Sequence, residues 1–319
     1  MAVAHATVLP FPGDESKVGL AEDERSKKML GEFEYARAKT VKGGCALLAK
    51  AGGQGAVLAG GTDLLVTIRQ GRASPVLLVD LKGVKGLLHL AVSPKVGATI
   101  GASVPMNAIV ENRGIRSHYG ALAEAAWTVG TYQVRHRATI AGNLCNASPA
   151  ADTATPLLVL GAVLEVASPR GERELPVRDL FVDSKKTSLS FDEIVTAIRI
   201  PPVPSATRTA FLKQQRVRGH DLAILNMAGR YDPQTGDLQI AIGSCAKTPV
   251  LVPPLGLPVP PDAPIPELAR RLEALAAQVT SPISDLRATA EYRRALIPVF
   301  LRRLLESLLL ESDHREAIR

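Results

Sequence analysis

Apolar and polar positions change period several times along the chain, and each change predicts an element. From Phe33 the pattern alternates between helix and strand. Residues 42–51 predict a helix, 56–59 a strand, 63–70 a short helix, and 75–80, with its Val-Leu-Leu-Val run, a buried strand. Together they make a small α/β unit ending near Gly86. A second unit opens with strands at 87–92 and 99–101 and continues through helical stretches at 106–112, 120–127 and 152–160. Strands at 162–167 and 193–200 complete a mixed sheet. Trp127 falls on an apolar face, which predicts core packing.

The Pro-Pro-Val-Pro run at 201–204 predicts a linker. Beyond it, 209–214, 221–231 and 238–243 predict antiparallel strands, followed by a helical C-terminal region. Residues 249–266 hold eight prolines, which predicts a surface loop without regular structure. Ser284 or Asp285 can cap the helix that carries Tyr292 and Arg293, and Pro298 predicts a kink or break within it. Residues 1–31, with Pro10, Pro12, Gly13 and a balanced charge cluster, read as an arm.

Two short stretches carry the chemistry. Ala59-Gly60-Gly61-Thr62-Asp63-Leu64 and Thr139-Ile140-Ala141-Gly142-Asn143-Leu144 both set small residues beside hydroxyl or amide side chains. Each follows an apolar run that predicts a strand. Glycine permits positive φ and a close approach to the main chain. Successive N–H groups in such a turn form an anion-binding concavity. Neither stretch has the Lys-Ser/Thr of a Walker loop or the G-x-G-x-x-G pattern. A ligand here is therefore held mostly by backbone donors. The plain alternative for the first stretch is a strand-to-helix turn with Thr62 or Asp63 as N-cap.

Around these stretches lie Gly130-Thr131-Tyr132-Gln133-Val134-Arg135, Ser148-Pro149-Ala150-Ala151-Asp152, Asp192-Glu193-Ile194-Val195, Phe211-Leu212-Lys213, Asp285-Leu286-Arg287 and Glu291-Tyr292-Arg293-Arg294. In this order the segments resemble the FAD-binding (medium) subunit of the molybdenum hydroxylase family, of the carbon monoxide dehydrogenase, xanthine dehydrogenase and 4-hydroxybenzoyl-CoA reductase type. The resemblance spans roughly residues 32–311. It implies an α+β fold with a two-subdomain FAD-binding domain of the vanillyl-alcohol oxidase / molybdopterin dehydrogenase type over 32–204, divided at about 86/87. A smaller C-terminal domain of antiparallel sheet plus helices follows over 205–319.

The resemblance places the flavin pyrophosphate between the two loops. It implies contacts from Val57, Leu58, Ala59, Gly60, Gly61, Thr62, Asp63 and Leu64, and from Thr139, Ala141, Gly142, Asn143 and Cys145. Many relatives have Gly-Gly-Asn where this chain has Ala141-Gly142-Asn143; Ala141 is strained if the turn needs positive φ. Asp152 matches a carboxylate that accepts hydrogen bonds from flavin or sugar hydroxyls; a plain helix cap is the alternative reading. Val129, Gly130 and Val195 map near the flavin, and Lys213 matches a lysine that stabilises negative charge on the reduced ring. Tyr292 and Arg293 read as structural, pairing helix to sheet. His136 and His220 have no catalytic role, and no residue is assigned as catalytic.

The resemblance further implies a subunit of a molybdenum hydroxylase. Electrons come from a molybdenum cofactor on a large partner through [2Fe-2S] clusters on a small iron-sulfur partner. They leave this chain's FAD for NAD, quinone, oxygen or another acceptor. A dimer of heterotrimers, a heterohexamer, is the implied assembly. The cysteine-rich insertion of the 4-hydroxybenzoyl-CoA reductase branch is missing between Asn143 and Ala151, so its extra cluster is not expected.

Length and composition set the remaining bounds. At 319 residues, 46% apolar and 22% charged, the chain suits two compact globular units. The net charge of +7 invites a nucleic-acid reading, but the basic residues are scattered and aromatics make up only 4%. Docking to an acidic partner subunit suits that charge better. Cys45, Cys145 and Cys245 are isolated, which predicts neither a disulfide framework nor a metal site and suits a reducing cytoplasm. No signal peptide or membrane-spanning run is evident, so the expected location is cytoplasmic. Two alternatives stand beside the subunit reading: a stand-alone FAD oxidoreductase of the vanillyl-alcohol oxidase-like fold, and a cofactor-free basic scaffold.

Overall fold

The computed structural model describes residues 32–217 and 219–310. The N-terminal arm expected over 1–31 lies outside the described residues. Strand β1 (Glu34–Arg37), helix α1 (Val41–Lys50), strand β2 (Gly55–Leu58), helix α2 (Leu64–Arg69) and strand β3 (Leu77–Asp80) build the first sheet, parallel and ordered β1-β3-β2. β3 is buried at every position, as a central parallel strand requires. Thr40 starts α1 by accepting the Gly43 N–H at 3.0 Å.

The next segment alternates strands with short helices: β4 (Leu90–Ser93), β5 (Gly97–Gly101), α3 (Met106–Glu111), α4 (Arg113–His118), α5 (Gly120–Trp127), α6 (Tyr132–Arg135), α7 (Ile140–Cys145) and α8 (Ala154–Val159). Strands β6 (Val163–Ser168), β7 (Gly171–Pro176), the small β8 (Phe181–Asp183) and β9 (Lys186–Thr187) pair, and β10 (Ile194–Ile200) follow. The second sheet has the order β4-β5-β10-β6-β7, and every pairing in it is antiparallel rather than mixed. Here α4, α6, α7, β7, β8 and β9 are additional to the elements expected. α4 buries only Ile115, and β7 is a charged edge strand whose side chains pair across the sheet, Arg173 to Glu193 and Glu174 to Arg199.

The third sheet comprises β11 (Arg208–Gln214), β12 (Leu225–Asp232), β13 (Asp237–Gly243) and β14 (Val250–Leu251), antiparallel in chain order. Helices α9 (Ile265–Val279) and α10 (Ala290–Leu309) complete it. Alternation in β11 and β12 sends residues to opposite faces. Ala210, Leu225, Met227 and Tyr231 join Leu301, Leu304, Leu305 and Leu308 of α10 in one core. Phe211 and Ala228 join the core of the second sheet's helices. Gly229 admits α10, since a Cβ there would stand 2.6 Å from a methyl of Leu308.

The proline-rich stretch is not wholly irregular. It contains β14, buries Val252 and Val259, and begins α9 with Pro266 in the first turn, where a missing N–H costs nothing. α10 runs unbroken through Pro298, because its buried leucine face holds it on the sheet. Thr289 is its N-cap, accepting the Tyr292 N–H at 3.2 Å, while Ser284 accepts the Ala290 N–H at 2.9 Å. Asp285 instead pairs with Arg287 and Arg293.

Arg293 is structural, as expected. It is 1% exposed and donates to Asp285 and to the Ser244 carbonyl, each at 2.7 Å. The Ser244 N–H in turn donates to the Pro149 carbonyl at 2.7 Å. Arg293→Met is expected to lower the unfolding free energy by about 3 kcal/mol, because Asp285 and a buried carbonyl lose a charged donor. Urea unfolding measures this; a loss within error would show that the link carries no weight.

Candidate functional site

The first loop leaves β2 beside the lysine that fixes its entry. Lys82 donates to the Ala59 carbonyl at 3.2 Å and pairs with Asp80 at 2.7 Å. Burial pushes the Asp80 carboxyl up, but its bonds from Lys82 and Tyr35 outweigh that and hold it below the ordinary carboxylate value. Gly61 has φ +77°, open to glycine at no steric cost. Gly60 is required for a different reason. A Cβ there would stand 2.2 Å from the Arg137 carbonyl oxygen, so the loop touches the segment just ahead of Thr139. The N–H groups of Gly60, Gly61, Thr62 and Asp63 have no acceptor among the described residues. Val57 and Leu58 lie in β2, and Leu64 opens α2.

In place of the expected strand, α6 precedes the second loop, which is the capped start of α7. Thr139 is its N-cap, with the Gly142 N–H donating to Oγ1 at 3.0 Å and the Asn143 N–H to its carbonyl at 3.0 Å. Ala141 is the second helical residue and does not adopt positive φ, so alanine is unstrained there. Asn143 accepts the Thr153 hydroxyl at 2.7 Å. Cys145, at the end of the helix, is exposed. The two loops are also tied by side chains. The Asp63 carboxylate leaves α2 uncapped and accepts the Asn146 amide at 3.0 Å, and Lys185 donates to that amide's oxygen at 2.9 Å.

Beside the loops, Gly130 turns the chain at φ +57°, close against Val134. The buried Arg135 clamps this turn by donating to the carbonyls of Val129 and Gly130, each at 3.2 Å, and to Asn107. Its guanidinium carbon stands 4.4 Å from the centroid of the Trp127 ring. Trp127 is thus not a core residue. It is 50% exposed, with the cation rather than aliphatic packing on one face. Val195, in β10, is buried in the same core as Ala141 and Leu144.

Asp152 and Lys213 meet at the seam between the second sheet's helices and the third sheet. Lys213 Nζ lies 2.7 Å from Asp152 Oδ2 and donates to the Thr128 carbonyl at 3.2 Å. The other carboxylate oxygen accepts the Asn226 amide at 3.1 Å, and Thr155 donates to Asn226. Burial pushes the Asp152 carboxyl up, while Lys213 and Asn226 act against it. Asp152 makes no cap for α8. Thr153, its neighbour, is the residue bonded to Asn143, so seam and second loop are one residue apart.

One side of the seam opens into a cavity of 510 Å³, whose walls include Glu124, Trp127, Thr128, Phe211 and Lys213. Glu111 and Arg116 are the other charged residues lining it. Glu124 accepts the Phe211 N–H at 3.1 Å, and burial pushes its carboxyl up to about 7. Glu124, Asn146, Thr153 and Asn226 escape motif reasoning. For Glu124 a signal existed, since it is the one charge in the otherwise apolar helix Gly-Ala-Leu-Ala-Glu-Ala-Ala-Trp.

Residues 31–203 match the family model of the FAD binding domain in molybdopterin dehydrogenase, and residues 210–308 that of the CO dehydrogenase flavoprotein C-terminal domain. The chain is 30% identical to the carbon monoxide dehydrogenase medium chain of Afipia carboxidovorans, over 86% of this chain and 96% of that one. It is also 30% identical to the putative xanthine dehydrogenase FAD-binding subunit of Escherichia coli, over 87% of this chain and 96% of that one. Among solved structures it resembles carbon monoxide dehydrogenase from Hydrogenophaga pseudoflava, with a TM-score of 0.82 and 26% identity over 88% of this chain and 98% of that one.

The Glu124 carboxyl gives the site a pH signature. Because its pKa rises on folding, its contribution is fully present below about 4.5 and is lost as pH rises to about 7. Glu124→Gln keeps an acceptor and does not ionise. It is expected to match the parent at pH 4 and exceed its stability at pH 8 by about 3 kcal/mol. Urea unfolding at the two pH values checks this; an equal difference at both would refute it.

Proposed function

Because the chain belongs to the family of FAD-binding domains of molybdopterin dehydrogenases, we propose that its FAD carries electrons between a partner's iron-sulfur clusters and an external acceptor. The chain is an FAD-binding oxidoreductase subunit. The observation that carries the finer reading is the contact of Gly60 with the Arg137 carbonyl. It brings two turns together, one with four N–H groups unpaired among the described residues, in a place where a side chain would intrude. That donor set fits a diphosphate, whose oxygens accept backbone N–H bonds and tolerate no Cβ between.

Under this reading Ala59, Gly60, Gly61, Thr62 and Asp63 hold one side of the pyrophosphate and Thr139, Ala141, Gly142, Asn143 and Cys145 the other. Val57, Leu58, Leu64, Val129, Gly130 and Val195 shape the apolar surround. Lys213, held by Asp152, supplies a fixed cation beside the ring. Bound FAD supplies reversible two-electron chemistry, and the chain contributes position and electrostatics. The FAD-binding domain runs over residues 32–204 and the C-terminal flavoprotein domain over 205–319. The partners are a small [2Fe-2S] subunit and a large subunit with the molybdenum cofactor, in a dimer of heterotrimers. Relatives named as medium chains of such enzymes support the assignment. Among the described residues no helix is long and apolar enough to cross a membrane, and no cluster of His, Cys, Asp or Glu offers a metal site.

Purified from its native host, the chain is expected to show flavin absorption and to co-purify with molybdenum and iron. A partner-free yellow chain that oxidises substrate alone would overturn the subunit reading. Gly60→Ala is expected to weaken FAD binding by at least tenfold, since the methyl forces the two turns apart. Fluorescence titration of the deflavinated chain with FAD measures this, and an unchanged affinity would remove Gly60 from the site.

A further inference from the structure

We infer that Glu124 is a positioning residue for Lys213: by accepting the Phe211 N–H it locks β11 against α5 and so sets where the lysine ammonium stands. The inference rests on the reading of Lys213 as the cation beside the flavin.

β11 is an edge strand, paired on one side only, with β12. The N–H groups on its free side need other acceptors when a neighbouring element covers them. α5 is that element, and it grips β11 at three alternate residues. At one end the Ala121 N–H donates to the Thr209 hydroxyl at 3.1 Å. In the middle the Phe211 N–H donates to Glu124 Oε2 at 3.1 Å. At the other end Lys213 donates to the carbonyl of Thr128, the residue that closes α5. Glu124 makes the central bond and joins helix side chain to strand backbone.

An acid is an expensive choice at this position. Alanine or leucine would suit an apolar helix, and burial disfavours the charged carboxylate. What the acid supplies is reach, since its carboxyl spans from the helix to a main-chain donor that no aliphatic side chain can satisfy. Without that acceptor, the Phe211 N–H is left unpaired beside α5, and β11 relieves the penalty by moving off the helix. Lys213 lies two residues further along the same strand and its ammonium must meet both Thr128 and Asp152. The strand's register therefore fixes the cation.

The test uses the intact FAD-loaded assembly. Four proteins are compared with the parent: Glu124→Gln, which keeps an acceptor of equal reach; Glu124→Asp, which withdraws it by one methylene; Lys213→Met; and the double variant Glu124→Asp/Lys213→Met. Two quantities are read, the flavin midpoint potential and deuterium exchange in a peptide covering residues 211–214. Lys213→Met is expected to shift the potential to more negative values. Glu124→Asp shifts it in the same direction and loses exchange protection, Glu124→Gln matches the parent in both, and the double variant goes no lower than Lys213→Met alone. A Glu124→Asp protein that is less stable yet keeps the parental potential would overturn the inference and leave Glu124 a purely structural group. If Glu124→Asp does not fold, the Glu124→Gln protein still decides: loss of the parental potential with protection retained would also overturn it. If Lys213→Met leaves the potential unchanged, the reading of Lys213 as the flavin-side cation fails, and the inference with it.

Discussion

Lys213 and Asp152 face each other across the seam with 4% and 8% of their side chains exposed, and the arrangement of both halves follows from that meeting. Each ion gives up hydration worth several kcal/mol, which only good geometry and further hydrogen bonds can offset. Asn226 and the Thr128 carbonyl provide those bonds, one from the third sheet and one from the end of α5. A pair of this kind adds little net stability but strongly penalises misalignment, since a shift leaves a dehydrated charge without its partner. The seam therefore has one permitted register, and Thr153, next to Asp152, passes it to the second loop through Asn143.

The loop region is held from three directions by bonds of different kinds. Asp63 and Asn146 tie the two loops together, Thr153 ties the second loop to α8, and Ser244 ties Pro149 to the third sheet. The last of these runs through Ser244 to Arg293 on α10. A residue 144 positions away from Pro149 in the chain thus braces the segment between loop and seam. This gives the C-terminal Asp285 and Arg293 a physical place in the site although neither reaches it.

The strongly periodic elements were legible in the sequence, whereas the second small-residue stretch proved to be a capped helix start, since Thr139 accepts the Gly142 N–H. What escaped was set by tertiary contact. β7 carries too many charges to look like a strand until Glu193 and Arg199 reach it from beyond β6. Pro298 reads as a break, yet the leucines of α10 have a sheet to lie on. Trp127 sits in an apolar helix and was assigned to the core, but a buried arginine draws it to the cavity wall. Asp152 looks like a helix cap from its position alone. Its true partners come from residues 213 and 226, and no local pattern announces a pairing at that separation.

Trp127 is the single tryptophan of all 319 residues. It stands in the wall of the cavity that Lys213 also lines, with the Arg135 cation against its ring. Indole emission overlaps flavin absorption, and energy transfer between them falls steeply with distance. On the reading of Lys213 as the cation beside the flavin, the free chain therefore carries one intrinsic donor next to its acceptor, with no second indole of its own. Its ultraviolet emission is a built-in ruler for occupancy and for movement at the seam, readable without any label.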